Sequence, residues 1–264
     1  MSQNQLMHWA TIFFFAIAAV FMQPEKIGVT TANSIQLTYT GNMGVVVESE
    51  NATWWLDGVH EFYKREYQHL PDSIFQHALA GRPPFGKLKG LTFSHYHSDH
   101  FSAALTNRLI ATHPSILVTG SHQVGDFIST ERFTDGWNKN GIIYSDEATA
   151  SRLEAYNLAH TWPSRHSAVK NIMYSLLING LRITHLGDAD PEGSAYLQTA
   201  FLNADILIIP VWFINSTKGR TILNSSAAKK IVVTHITPGE KVSCDGKFNA
   251  EMILFDKVGK TVQL

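Results

Sequence analysis

Only one cysteine, Cys244, occurs in 264 residues. An intrachain disulfide and a Cys-rich structural zinc site are therefore excluded, and any bound metal must take its ligands from His, Asp or Glu. Excess charge is missing as well: 21 Lys and Arg stand against 22 Asp and Glu, for a formal net charge of -1 and a pI near 6.9. That leaves no basic footprint for a phosphate backbone, so nucleic acid is not an expected partner and a small-molecule substrate is. No internal repeat or low-complexity tract interrupts the chain. The one long apolar run is Leu6 to Met22, and no Lys or Arg precedes it. Its length and its small residues Ala16, Ala18 and Ala19 predict that residues 1–25 are a signal peptide, with export to the periplasm or the exterior. The alternative is an uncleaved N-terminal membrane anchor, although 17 residues is short for a spanning helix.

What is present is core-forming material, 44% of the chain being hydrophobic. From Ser34, "IQLTYTGNMGVVVESENATWWLDG" reads as three short strands in an antiparallel meander broken at Gly41-Asn42 and Glu50-Asn51. Residues 60–80 carry apolar residues at helical spacing with a break at Pro71. "LKGLTFS" (88–94) reads as a buried strand, "FSAALTNRLIATH" as a helix, and "SILVTG" as another strand. Further strands are expected at Leu153–Leu158, Ile172–Asn179 and Leu181–Leu186, the last two joined by the tight-turn pair Asn179-Gly180. Helix and strand then alternate to "IVVTH". Two strand-rich groups, each followed by helices, predict an α/β domain over residues 34–264 in which two packed sheets carry helices outside.

The chemistry is concentrated in "SHYHSDH", residues 94–100. At the end of an extended strand His95 and His97 project to the same side, because side chains alternate with period two, and both can reach one ion. Asp99 and His100 follow where the chain turns. Imidazole nitrogen and carboxylate oxygen are the donors that suit zinc and related divalent ions.

This pattern resembles the His-x-His-x-Asp-His signature of the metallo-β-lactamase superfamily. The resemblance extends over roughly residues 34–240 and implies the four-layer αβ/βα sandwich of that family. It also implies three downstream ligands: a histidine before a strand pair, an aspartate after it, and a histidine after a late strand. "SRHSAVKNIMYSLLINGLRITHLGDAD" offers His166 and Asp188, and "KIVVTHITP" offers His235. The family's ligand sets then read His95, His97 and His166 for one metal and Asp99, His100 and His235 for a second, with Asp188 bridging. His160 competes with His166 in "HTWPSRH"; His166, nearer the hairpin, is the favoured ligand. Asp57 in "WLDG" matches a buried aspartate that orients a ligand. His185 is read as structural.

The resemblance implies a hydrolase with two zinc ions, iron and manganese being the other candidate metals. A metal-bound hydroxide would cleave an ester, lactone, thioester or phosphodiester, with Asp99 orienting it and passing a proton. Asp188 stands where the lactam-hydrolysing branch has cysteine, which points to the glyoxalase II and lactonase-like branches, and "ADILIIPVWF" is similar to the compact branch that includes L-ascorbate-6-phosphate lactonase. The runner-up is a mononuclear iron oxygenase of the persulfide dioxygenase type, using His95, His166 and Asp188. Loop candidates for substrate contact are Tyr63, Trp212 and Phe213 as an apolar rim, and Lys218 or Arg220 for an anionic group.

Overall fold

The structure is a computed structural model that describes residues 34–193, 196, 199–242 and 248–264. The expected leader or anchor at 1–25 lies outside the described residues. The meander forms as expected: β1 (Ile35–Gly41), β2 (Gly44–Ser49) and β3 (Thr53–Leu56) pair antiparallel in sequence. The chain then runs through α1 (Asp72–Leu79), β4 (Leu88–Thr92), α2 (Ala103–Thr112), β5 (Leu117–Gly120), α3 (His122–Gly125) and β6 (Phe133–Asp135). A short α4 (Gly136–Lys139) leads to β7 (Ile142–Asp146), β8 (Ser151–Leu158), α5 (Pro163–His166), β9 (Asn171–Ile178) and β10 (Leu181–His185). The last part holds α6 (Thr199–Leu202), β11 (Ile206–Pro210), α7 (Val211–Asn215), α8 (Thr217–Leu223), β12 (Lys230–Thr234), β13 (Glu251–Leu254) and β14 (Thr261–Gln263).

Helical spacing over 60–80 overstates the helix, which occupies only Asp72–Leu79. Pro71 sits at its N-cap rather than inside it, where a fixed φ starts a helix well, and residues 61–66 upstream are exposed and have no core to bury a helical face against.

The strands make two seven-stranded sheets, ordered β14-β1-β2-β3-β4-β5-β6 and β13-β12-β11-β10-β9-β8-β7. In each sheet one half is antiparallel and the other parallel: β3 to β6 run parallel, as do β10 to β13. Side-chain alternation then sorts residues into layers. Val45, Val47, Trp54 and Leu56 face Leu153, Tyr174, Ile183 and Ile208 of the other sheet in the central core. Their neighbours Val46 and Trp55 point outward to pack with Phe75 of α1 and Leu109 of α2. On the far side Leu207, Ile209 and Val233 meet Phe213 of α7 and Leu223 of α8. This is the α/β sandwich of four layers, αβ/βα, that the sequence predicts. Each fully buried large apolar side chain of this kind is worth about 1.5–3 kcal/mol against exposure. Among the described residues no helix is long and apolar enough to cross a membrane.

Candidate metal centre

The site lies where strand C-termini of both sheets open onto one edge, the position at which parallel strands leave room for functional loops. Asp57 follows β3, the 95–100 cluster follows β4, His160 follows β8, Asp188 follows β10 and His235 follows β12. The backbone is bent to do this. Asp57, Trp162 and His235 have φ of 46°, 50° and 57°, and Asn42 in the β1–β2 turn has 47°. Left-handed backbone at a non-glycine residue costs of order 1–3 kcal/mol and gathers where the surroundings over-determine a functional geometry. Gly187, φ 56°, is the position beside Asp188 where only glycine fits: a Cβ there would lie 2.4 Å from the Ser94 Cβ and 2.5 Å from Asn171 Oδ1.

Two groups of donors result. In the first, His95 Nε2 lies 3.0 Å from His97 Nδ1 and 3.4 Å from His160 Nε2. In the second, Asp99, His100 and His235 converge, His235 Nε2 lying 3.4 Å from Asp99 Oδ2. Asp188 stands between them. Its Oδ2 lies 3.6 Å from His160 Nε2 and 3.9 Å from His95 Nε2, while its Oδ1 lies 3.1 Å from His100 Nε2 and 3.9 Å from His235 Nε2.

Six of the seven residues expected from sequence are thus brought together, and one position is filled differently. His160, not His166, has its ring nitrogen within reach of His95 and His97. His166 stands one ring further out, its centroid 4.9 Å from that of His97 and 4.7 Å from that of His160. The six-residue step between them is taken up by the left-handed turn at Trp162 and the single turn of α5, so the histidine nearer the strand end reaches inward.

Tautomers follow from the outer partners. Asp57 is fully buried and accepts from the Ser94 N–H at 2.6 Å, from the Ser94 hydroxyl, and from His100 Nδ1–H at 2.9 Å. That leaves the His100 Nε2 position directed at Asp188 and Asp99. His160 Nδ1–H donates to the Thr161 carbonyl at 2.7 Å, which likewise frees its Nε2 lone pair.

The protonation states are those of ligands. Burial, reinforced by the neighbouring rings of His100 and His160, holds His95 well below the usual imidazole range, and burial with His160 brings His97 down to about 4. His160 is also lowered, by burial. Burial alone would raise the carboxyls of Asp99 and Asp188, but the imidazoles of His100 and His235 outweigh it and hold both below the ordinary carboxylate value. His100 is the exception. Burial disfavours its charge, yet Asp188, Asp99 and Asp57 together raise it well above the usual value, so a proton there carries the positive charge these carboxylates demand.

The chemistry of these donors fits divalent metal. Asp188 Oδ1 and His235 Nε2 are buried without a well-aligned hydrogen bond, His100 Nε2 standing 3.1 Å from the one and Asp99 Oδ2 3.4 Å from the other, and an ion between these groups would satisfy them. Neutral imidazoles and ionised carboxylates are the forms in which His and Asp bind metal.

Residues that sequence reasoning passed over complete the site. Asn42 Nδ2 donates to Asp99 at both the carbonyl (3.0 Å) and Oδ2 (3.2 Å), and its own carbonyl accepts the His235 N–H. Asn171 braces the Asp188 loop, donating to the Leu186 carbonyl and accepting the Asp188 N–H. His185 is structural, as read, with Nε2 3.0 Å from the Met43 carbonyl.

Above the donors is a cavity of about 420 Å³. Tyr63 and Trp212 line it as anticipated, but Phe213 is buried in the outer core. Lys218 pairs with Glu192, and Arg220 is spent on the Ile214 and Asn215 carbonyls. The cations at the mouth are instead Lys64 and Arg165.

Comparison with known proteins agrees with this architecture. A family model described as a beta-lactamase superfamily domain matches residues 36–236. The fold resembles YhfI of Bacillus subtilis, a metallo-beta-lactamase fold protein, at 15% identity and a TM-score of 0.56, covering 88% of this chain and 100% of that one. It also resembles Igni18, a metallo hydrolase of Ignicoccus hospitalis (14%, TM-score 0.59, covering 88% and 98%), and the short form of human tRNase Z (16%, 0.56, 86% and 98%). At these identities the likeness is one of fold. Sequence comparison with curated proteins finds no match.

Proposed function

The chain belongs to the metallo-β-lactamase superfamily, and from that premise we propose that it is a hydrolase dependent on two divalent cations, zinc by preference, acting on an ester, lactone, thioester or phosphodiester. The observation that carries the reading is the pair of donor groups divided by one carboxylate, with each Asp188 oxygen turned to a different group. His95, His97 and His160 would hold one cation, and Asp99, His100 and His235 the other, with Asp188 shared. Bound there, the cations would acidify a water toward neutrality and polarise the oxygen under attack.

The chain's own residues supply the rest. Asp99, held ionised and clamped at Oδ2 by Asn42, lines the cavity and is the carboxylate that takes a proton from the attacking water and returns it to the leaving group. Asp57 holds His100 in one ring orientation. Tyr67, whose hydroxyl burial and the nearby Asp99 and Asp188 push up to about 12, stays neutral beside His235 and shields that side of the site from water. No serine or cysteine nucleophile is required.

The test is elemental analysis of the chain purified without added metal, combined with turnover of a panel of ester, lactone and phosphodiester substrates. About two zinc per chain with hydrolysis is expected. Asp99→Ala should lower turnover by about 100-fold or more while keeping the fold, since a positioned acid–base group contributes roughly 10²–10⁴. One iron per chain without hydrolysis would overturn the proposal in favour of an oxygenase.

A further inference from the structure

The mouth of the cavity has a composition that metal binding does not explain. Four aromatic rings stand around it in two pairs: Tyr63 stacks on Tyr67 at 5.7 Å and 26°, and Trp162 lies against Trp212 at 5.9 Å and 33°. Each pair reaches the metal centre, because the rings of Tyr67 and Trp212 both meet His235 edge-on, at 5.1 and 4.7 Å. The outer ring of each pair is open to solvent, Trp162 at 59% and Tyr63 at 44% exposure. A large indole left in water is poor use of an apolar side chain, and here it sits on left-handed backbone that strains a tryptophan. Both observations are accounted for if the ring is held out to meet something.

Charge at the mouth points the same way. Lys64 and Arg165 line the cavity, and among the described residues neither has a carboxylate within 4.0 Å. Lys64 Nζ rests 4.8 Å above the Tyr63 ring, which keeps the cation in place without neutralising it. Among the described residues the carboxylates lining the cavity are Asp99 and Asp188, at its floor among the histidines. Among the described residues the lining of the rim is therefore aromatic and cationic, the acidic Glu66 acting on it only from beside Tyr67.

We propose that the substrate is a small molecule combining a flat ring with an anionic group, the ring stacking on the Trp162–Trp212 and Tyr63–Tyr67 walls and the anion meeting Lys64 and Arg165. This rests on the hydrolase reading for what happens at the floor, but the binding site is defined by its own residues. Aromatic stacking of such a ring is chemistry of substantial strength, and two cations without a carboxylate partner at the mouth select for negative charge.

The experiment is calorimetric binding of three probes to the full chain as purified: phenylphosphonate, methylphosphonate and benzyl alcohol. Phenylphosphonate should bind at least about tenfold tighter than methylphosphonate, the gain expected of one stacked ring. It should also outbind the uncharged benzyl alcohol. Trp162→Ala should erase the phenyl-over-methyl preference and Trp162→Phe should keep it, while the double substitution Lys64→Ala, Arg165→Ala should weaken both phosphonates and leave benzyl alcohol unchanged. Equal binding of phenylphosphonate and methylphosphonate by the wild-type chain would overturn the proposal, as would a preference that survives Trp162→Ala. Because binding is read without turnover, the two readings fail separately. A phenyl preference with no hydrolysis of any panel substrate removes the hydrolase and keeps the mouth, and hydrolysis with no phenyl preference does the reverse.

Discussion

Asp57 is a fully buried carboxylate surrounded by three donors, two from Ser94 and one from His100. A buried charge persists only when its acceptor sites are filled, and here filling them also sets which nitrogen of His100 faces the metal centre. An amide of the same shape has one acceptor oxygen and turns an NH2 toward at least one of those donors. Asp57→Asn is therefore expected to lower metal affinity about 10–100-fold, the range seen when such outer partners are lost. Competition against a fluorescent zinc chelator measures it, and unchanged affinity would show that His100 is oriented by the loop alone. Asn42 acts on Asp99 in the same way from a different direction. Its role could not be read from the sequence, because nothing in "TGNMG" distinguishes a buried asparagine aimed at a carboxylate 57 residues away from an ordinary turn residue. His160 and His166 show a related limit. Both lie in the heptapeptide "HTWPSRH", and the choice between them depends on a left-handed tryptophan that no periodicity announces.

At the scale of elements the site is an affair of strand ends, and these were legible. Alternation located β1 to β3, the buried-type run "LKGLTFS" located β4, the Asn179-Gly180 pair located the β9–β10 hairpin, and the histidine cluster fell at the end of a buried strand as expected. The irregular stretch before α1 was not legible, since helical spacing without a surface to bury against is not a helix. The loop after β10 tolerates little change. Gly187 turns it in the left-handed region against Ser94, which itself bonds Asp57, while Asn171 ties both sides of the turn to β9. A methyl group at this position meets backbone strain and would lie only 2.4 Å from the Ser94 Cβ, so the two loops must part. Gly187→Ala is expected to destabilise the protein by about 1–3 kcal/mol, in the range of overpacking, and to displace Asp188 and Ser94 together. Urea unfolding combined with metal stoichiometry checks this. A variant with wild-type stability and full metal content would mean that the contact relaxes without cost.

For the whole molecule the metal centre is also a joint between the two sheets. His95, His97, Asp99 and His100 hang from the first sheet, and His160, Asp188 and His235 from the second. A divalent cation held between them would stabilise the sandwich by mass action, about 2.7 kcal/mol at a free metal concentration 100 times Kd. Removing metal with a chelator should lower the urea midpoint at pH 7 and expose the titration of the buried histidines. His60 makes this sign clear. It is buried beside the site without being one of the donors, with Nε2 3.2 Å from the Gly41 carbonyl, and burial, with the nearby His100, lowers it from 6.5 to about 4. Its proton is bound more readily by the unfolded chain, so its contribution to stability is complete above pH 6.5, shrinks as pH falls, and is gone below about 4. Between pH 6.5 and 5 this group alone costs about 2 kcal/mol. His95, His97 and His160, also lowered, act in the same direction once no metal holds them neutral. His100 does not offset them in that window, because its raised value keeps it protonated in the folded chain throughout, and its stabilising effect is instead lost as pH rises above 6.5. The chelated protein is therefore expected to be most stable close to pH 6.5 and to weaken on both sides, more steeply toward acid. Urea midpoints of the chelated chain at pH 5, 6.5 and 8 test this, and a midpoint that is flat from 6.5 to 5 would mean that the buried histidines open to water before the sheets separate.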